Sequence, residues 1–284
     1  MTFSIVARTE DGDRFGVAVA SKFLAVGSAV PGVDVTAGAI ATQAWANLSY
    51  VPRGLSLLRE GCDAHSALDQ LLASDDQAED RQASVVDRHG GSASFTGNRC
   101  YDWAGGRTGP GYAIAGNILA GPEVVIAMEN VWLQNPDVKF SDRLLLALAA
   151  GDNAGGDKRG RQSSALLVGK KAGGYGGLSD IEVDLRVDDH VNPVPELGRL
   201  LHIHHLLFDS PVVEELIPFG GEPAERLRIA LDTLGWTNPD LETALIECSG
   251  VENLEERMVA GLLDPVVLNY LEERAELATI VDPT

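Results

Sequence analysis

The hydrophobic pattern divides the first 210 residues into groups of strands and groups of helices. Runs of β-branched and apolar residues bounded by turn residues predict strands at positions 2–8, 14–22, 28–35, 38–45, 82–88, 92–96, 112–116, 163–170 and 181–187. Apolar residues at helical spacing predict helices at positions 52–61, 63–73, 122–133, 141–150 and 194–208. The order along the chain is strands, two helices, strands, two helices, strands and one helix.

This order predicts an α+β fold, because a doubly wound sheet would alternate single strands with single helices. Strands that are clustered and separated by Gly-containing turns favour antiparallel pairing, and two successive helices can form one layer. We therefore expect antiparallel sheets packed face to face beneath layers of helices.

Beyond residue 211 the chain becomes helical and strongly acidic. Residues 212–284 contain 16 acidic residues and 4 arginines, which gives 4 − 16 = −12. Helical patterns in this segment span residues 226–235, 238–248 and 264–276. The change of character at Asp209–Pro211 predicts two domains, residues 1–211 and a small helical domain at 212–284.

Composition narrows the classes of partner and location. The chain has 284 residues, 45% of them hydrophobic, and a formal net charge of −20. This charge argues against nucleic acid or an anionic membrane as partner, because both attract basic patches. No apolar run approaches the roughly 18 residues of a membrane span, and no secretion signal is visible, so a cytoplasmic location is expected. The three widely spaced cysteines indicate neither a metal site nor a disulfide framework, and no cofactor is predicted.

Thr2 is the strongest candidate for chemistry. Removal of Met1 would leave a threonine whose hydroxyl lies beside a free α-amine. The amine, with a pKa of roughly 8, can take the proton as the hydroxyl attacks a carbonyl carbon. The alternative is that a small residue simply follows the initiator methionine.

The next strand places further candidates near Thr2. The turn residues 9–13 separate two β-rich runs, a pattern typical of a β-hairpin. The second run ends on Ser21 and Lys22, so pairing brings both beside Thr2. Lys22 could lower the pKa of a group beside the nucleophile, or it could be a solvated residue at the end of the strand. Thr42 and Gln43 end another strand and could donate to an oxyanion or line a pocket.

Residues 1 to about 210 closely resemble the bacterial family catalogued as domain of unknown function 1028. The resemblance rests on the motifs Thr2–Ala7, Gly16–Gly27, Ala41–Ala44, Ala115–Pro122, Gly156–Ser163 and Asp184–His190. That family is grouped with the N-terminal nucleophile hydrolases, which implies a four-layer αββα sandwich and strengthens Thr2 as a nucleophile. The family has no settled substrate, so the resemblance implies fold and chemical class only. A weaker resemblance links residues 213–275 to a domain named for peptidoglycan binding.

One feature departs from the proteasome-type members of that superfamily, which carry a lysine on a later strand. No lysine lies between residues 23 and 138 of this chain. Only Lys22 could take that role, and it lies on a different strand, so the proteasome mechanism does not transfer intact.

Three further residues complete the predicted site. Asn117 follows a strand and could donate to a developing oxyanion, although Gly116-Asn117 is also an ordinary turn sequence. Arg161, in a Gly-containing loop that leads to Ser163, could hold a substrate carboxylate at two points, or the loop could be a charged surface segment. Ser163 is a candidate for substrate binding.

The predicted function is hydrolysis of an amide or related C–N bond in a small molecule or peptide, with Thr2 as nucleophile. The alternative is a catalytically silent protein that binds a small ligand or a cell-wall fragment. The acidic segment disfavours the carboxylates of cell-wall peptides. We therefore expect it to support a homo-oligomer, with a dimer as the expected form, through the apolar residues Leu227, Ile229, Leu231 and Leu234.

Overall fold

The computed structural model describes residues 2–281 of the chain. Its strands are β1 (Thr2–Arg8), β2 (Arg14–Ser21), β3 (Pro31–Asp34), β4 (Gly38–Ala44), β5 (Arg81–Asp87), β6 (Ser92–Thr96), β7 (Gly105–Gly109), β8 (Tyr112–Asn117), β9 (Ser163–Lys170), β10 (Ile181–Val187), β11 (Ile217–Pro218) and β12 (Leu262–Leu263). Its α-helices are α1 (Tyr50–Arg59), α2 (Ala64–Ala73), α3 (Glu123–Gln134), α4 (Phe140–Asn153), α5 (Pro193–Phe208), α6 (Gly221–Thr233), α7 (Leu241–Glu252) and α8 (Pro265–Val281).

The chain forms two compact units, Met1–Leu201 and His202–Thr284. The division lies inside α5, whereas the sequence places the boundary at residue 211, after that helix. The difference arises because α5 supplies residues to two hydrophobic cores. Leu197 and Leu201 belong to the core of the first unit, and Leu206 belongs to the core of the second.

The first unit contains two antiparallel sheets. The six-stranded sheet has the order β10-β9-β2-β1-β8-β7, and the four-stranded sheet has the order β3-β4-β5-β6. The predicted hairpin of β1 and β2 is confirmed, with Phe3 paired to Ala20 and Arg8 paired to Phe15. Gly12 adopts a φ of 77° in the connecting turn, a conformation that glycine reaches without steric cost.

Alternating side chains give each sheet two apolar faces. On the six-stranded sheet, Phe3 and Ile5 join a core cluster that includes residues of α3, α4 and α5. On the four-stranded sheet, Ile40 and Val85 join a cluster with residues of α1 and α2. A third cluster contains residues of both sheets, among them Val6, Val17, Val19, Ala39, Ala41 and Val86. Each sheet therefore carries helices on one face and shares an apolar cluster with the other sheet on its opposite face.

The second unit is built from helices α6, α7 and α8 around its own core. Leu227 and Leu231 are completely buried in that core, and Leu234 packs against it. The expectation that these side chains form an assembly surface is wrong for these three residues, because their side chains pack inside the second unit. Ile229 alone of the predicted set is largely exposed. No helix in residues 2–281 combines the length and the apolar character that a bilayer crossing needs.

Gly38 begins β4 at a position where a side chain would collide with the neighbouring strand. Its φ is +152°, and a Cβ added there would lie 2.2 Å from the backbone oxygen of Val86. Gly61, which follows α1, has a φ of +101° but nothing within 4 Å of such a Cβ. Both glycines have a positive φ that is strained for other residues, but only at Gly38 would a Cβ also collide with a neighbouring strand.

We expect Gly38→Ala to lower the free energy of unfolding by about 2 kcal/mol more than Gly61→Ala, because only the first substitution forces neighbouring strands apart. Denaturant unfolding of both variants measures the difference. Equal losses would show that the contact with Val86 relaxes without cost.

Candidate functional site

A cavity of about 770 Å³ opens where β1 begins and where β4 and β8 end. The three strands bring together residues that are far apart in sequence. The cavity is lined by Thr2, Phe23, Val26, Ala29, Val30, Gln43, Ala44, Trp45, Ala46, Leu48, Gln77, Asp80, Arg99, Cys100, Tyr101, Asn117, Ile118 and Arg159. Its volume is within the range of small-molecule sites, roughly 300–1,000 Å³.

Thr2 is buried at this cavity and is held by hydrogen bonding. Its Oγ1 lies 3.1 Å from the Oγ of Ser21, a distance at which either hydroxyl can donate. In the register of β1 and β8, Thr2 is paired with Asn117. The structure therefore brings together three of the predicted residues, and the end of β2 lies beside residue 2 through Ser21.

A network of buried side-chain amides lies behind Thr2. The Oε1 atom of Gln82 accepts hydrogen bonds from the Nε2 of Gln43 at 2.7 Å and from the Nδ2 of Asn117 at 2.9 Å. The Nε2 of Gln82 donates to the backbone oxygen of Gly116 at 2.8 Å and to the Oγ1 of Thr96 at 2.9 Å. Gln82 thus connects the four-stranded sheet to β8 of the six-stranded sheet. Sequence reasoning missed Gln82, which looks like an ordinary polar residue at a strand start.

Gln43 is fully engaged by this network. Its Oε1 accepts from the Oγ of Ser4 at 2.8 Å, and its Nε2 also approaches the backbone oxygen of Thr2 at 3.5 Å. Both ends of the amide are therefore used to hold β1. Asn117 makes one hydrogen bond through Nδ2 to Gln82, and an amide nitrogen carries two protons.

Lys22 does not line the cavity. Its side chain is exposed, and its Nζ donates to the backbone oxygen of Arg161 at 3.3 Å. Its backbone N–H donates to the Oδ2 of Asp157 at 2.7 Å. Ser21, one residue earlier, is the member of this pair that reaches Thr2.

Arg161 also lies outside the cavity lining. Its Nε donates to the Oδ1 of Asp152 at 2.8 Å, and this carboxylate raises the pKa of the Arg161 guanidinium. Arg159, two residues earlier, lines the cavity and pairs with Asp157 at 3.2 Å. The loop does supply an arginine to the cavity, but it is a different one from the residue that the sequence suggested.

Thr42 and Ser163 are buried beneath the site and do not line it. The Oγ1 of Thr42 donates to the backbone oxygen of Asn47 at 3.4 Å. The Oγ of Ser163 donates to the backbone oxygen of Phe23 and accepts from the backbone N–H of Val26 at 3.1 Å. Ser163 therefore fixes a segment that lines the cavity, and its contact with any ligand is indirect.

A buried ion pair supports the cavity wall. The carboxylate of Asp75 accepts from the Nε of Arg81 at 2.9 Å, and from Asn47 and Tyr50 at 2.9 and 3.0 Å. The guanidinium of Arg81 also donates to the backbone oxygen of Trp45, which lines the cavity. Hydrogen bonding by Arg81 holds the pKa of Asp75 far below its usual range, and burial together with Asp75 raises the pKa of Tyr50 to about 12.

Within residues 2–281, no group of three or more His, Cys, Asp or Glu side chains is arranged to hold a metal ion. The polar side-chain groups at the cavity are hydroxyls, amides, the thiol of Cys100 and paired charges. Such an arrangement offers a hydroxyl nucleophile and hydrogen-bond donors to a bound molecule.

We expect Asp75→Asn to lower the free energy of unfolding by about 3 kcal/mol at neutral pH, because it leaves the buried guanidinium of Arg81 without a counter-charge. The lowered pKa of Asp75 stabilises the folded state at pH values above about 4, which is the pKa of an aspartate in the unfolded chain. This contribution is lost as the pH falls below that value. The difference between wild type and variant should therefore shrink below about pH 4.

Asp76→Asn is the matched control, because Asp76 is the exposed neighbour of Asp75. Urea unfolding at a series of pH values measures both variants. Equal stability of Asp75→Asn and Asp76→Asn would contradict the supporting role of the ion pair.

Comparison with known proteins places the chain in a family. A model described as Family of unknown function (DUF1028) matches residues 2–197. The crystal structure of a Silicibacter pomeroyi protein of the same family is similar, with a TM-score of 0.66 and 30% sequence identity, over 75% of this chain and 92% of that chain. None of the curated proteins compared with the chain matches it. The chain therefore belongs to the DUF1028 family.

Proposed function

We propose that the protein is a hydrolase of amides or related C–N bonds that uses Thr2 as an N-terminal nucleophile. In this proposal the first unit is the four-layer αββα sandwich of the N-terminal nucleophile hydrolases. Two antiparallel sheets that share an apolar cluster, with helices on their other faces, support that assignment. The observation that carries the proposal is the buried Thr2 hydroxyl at the floor of the cavity, beside Ser21 and Asn117.

The chemistry begins once Met1 has been removed and the α-amine of Thr2 is free. The Oγ1 of Thr2 forms a bond to the carbonyl carbon while the amine takes the hydroxyl proton. The C–N bond then breaks, and the proton passes from the amine to the leaving nitrogen. Water attacks the resulting ester, its proton returns through the amine, and the carboxylic acid is released with Thr2 restored.

Asn117 is placed to assist this reaction. One proton of its amide is used by Gln82, and the second is available to an oxygen atom in the cavity. A donor that is fixed before the reaction stabilises negative charge as it develops on the carbonyl oxygen. Ser21 orients the Thr2 hydroxyl. The proposal assigns no direct role to Lys22 or Arg161, whose polar groups are engaged outside the cavity.

A catalytically silent ligand-binding protein is the second candidate function. The same cavity supports it, because concave sites with apolar walls and few polar groups bind small molecules whether or not they react. The two candidates differ in whether the Thr2 oxygen forms a covalent bond.

We expect Thr2→Ala to abolish hydrolysis of a pooled library of neutral and charged amides, because the attacking oxygen is missing. Thr2→Ser should retain measurable hydrolysis. Ser84→Ala is the matched control. Ser84 also carries a buried hydroxyl, which lies 3.2 Å from the Oγ of Ser94, and it does not line the cavity. Its loss should cost about 1 kcal/mol of stability and leave hydrolysis in place.

Product formation by mass spectrometry and thermal unfolding measure these effects together. Full hydrolysis in Thr2→Ala would remove Thr2 from the mechanism. Intact-mass analysis supplies a second test, since fully active protein that retains Met1 would contradict the role of the free amine.

A further inference from the structure

Aromatic and aliphatic side chains form an exposed rim around the cavity. The rim residues are Phe23, Trp45, Leu48 and Tyr101, and all four line the cavity. Trp45 and Tyr101 are 73% and 76% exposed, so their rings are accessible to solvent. Several large apolar groups exposed around one cavity are typical of a binding surface, because each would be more stable when covered.

The backbone of each of the three aromatic residues is held by a hydrogen bond. The backbone oxygen of Phe23 accepts from Ser163, and that of Trp45 accepts from the buried Arg81. The backbone oxygen of Tyr101 accepts from the N–H of Ile118 at 3.0 Å. Anchoring of this kind reduces the ordering cost of binding, since only side-chain rotation remains to be restricted.

The charged side chains that line the cavity are already paired. Three charged residues line it among those that the structure describes, namely Asp80, Arg99 and Arg159. Arg99 donates to both carboxylate oxygens of Asp80, at 2.8 and 2.7 Å, and Arg159 pairs with Asp157. A charged substituent packed among these side chains would lose its hydration without gaining an unpaired side-chain charge, which is unfavourable.

We infer that the substrate is a neutral amide with a bulky aromatic or branched apolar group. This inference rests on the proposed function. The apolar group packs between Trp45, Tyr101 and Phe23, and the carbonyl carbon lies at Thr2. The amide donors and hydroxyls at the floor then contact only the reacting carbonyl. A free carboxylate or ammonium group on the substrate is selected against.

Two β-lactone probes test this inference on the full-length protein, after mass analysis has shown that Met1 is absent. One carries a benzyl substituent and the other a carboxyethyl substituent at the same ring position. The Oγ1 of Thr2 forms an ester with the lactone carbonyl carbon, and the ring C–O bond breaks. The hydroxyl proton passes through the α-amine to the released alkoxide, so the adduct mass equals the mass of the whole lactone.

We expect the benzyl lactone to label residue 2 at least tenfold faster than the carboxyethyl lactone, as measured by intact mass and peptide mapping. Trp45→Ala combined with Tyr101→Ala should slow benzyl labelling at least fivefold and leave carboxyethyl labelling unchanged. Tyr175→Ala is the matched control, because Tyr175 is also 76% exposed but does not line the cavity.

The outcomes separate this inference from the proposed function. Equal labelling of Thr2 by both lactones, or benzyl labelling that is unaffected by loss of Trp45 and Tyr101, would overturn the substrate class and leave the nucleophile in place. The absence of any adduct on Thr2 with either probe would contradict the proposed function itself. Selective, rim-dependent benzyl labelling supports both.

Discussion

The buried amide of Gln82 joins the two sheets at the end where the cavity opens, and the geometry of the site depends on it. Its oxygen accepts from Gln43 and Asn117, and its nitrogen donates to the backbone of Gly116. A buried amide left with unmade hydrogen bonds costs about 1–3 kcal/mol for each group. Sliding of one sheet along the other would break several of these bonds at once. The network therefore fixes β1 relative to β4 and β8, and with it the position of Thr2.

Support for the cavity is divided between polar contacts underneath and apolar groups around the opening. Ser163 and the ion pair of Asp75 with Arg81 are buried and act on backbone segments. The residues that a ligand would meet first are aromatic and exposed. This division allows the opening to vary in sequence while the reacting groups stay in place, because the anchors bind main-chain oxygens, which every residue possesses.

Local sequence patterns predicted the strands and helices best where the side chains of the segment itself determine its conformation. The β1–β2 hairpin follows from its alternating runs and turn. The helix predicted over residues 63–73 begins as expected, because the side chain of Asp63 accepts from the N–H of Ser66. β7 was missed because Gly105–Gly109 contains no β-branched residue except Thr108, and pairing with β8 determines its conformation. The expected proximity of four candidate residues follows from the strand ends, because Thr2, Ser21, Gln43 and Asn117 converge. Arg159 lines the cavity and Arg161 does not, because the direction of the loop depends on tertiary contacts such as the pair of Arg161 with Asp152.

The burial of Thr2 in β1 has a consequence for the timing of maturation. The strand lies in the interior of the six-stranded sheet, between β2 and β8, and Thr2 is only 6% exposed. An aminopeptidase must enclose the bond that it cleaves, and Thr2 becomes part of a paired strand once the sheet has formed. In the proposed mechanism, processing therefore competes with folding on the nascent chain. The active fraction would then depend on the relative rates of synthesis, cleavage and sheet closure.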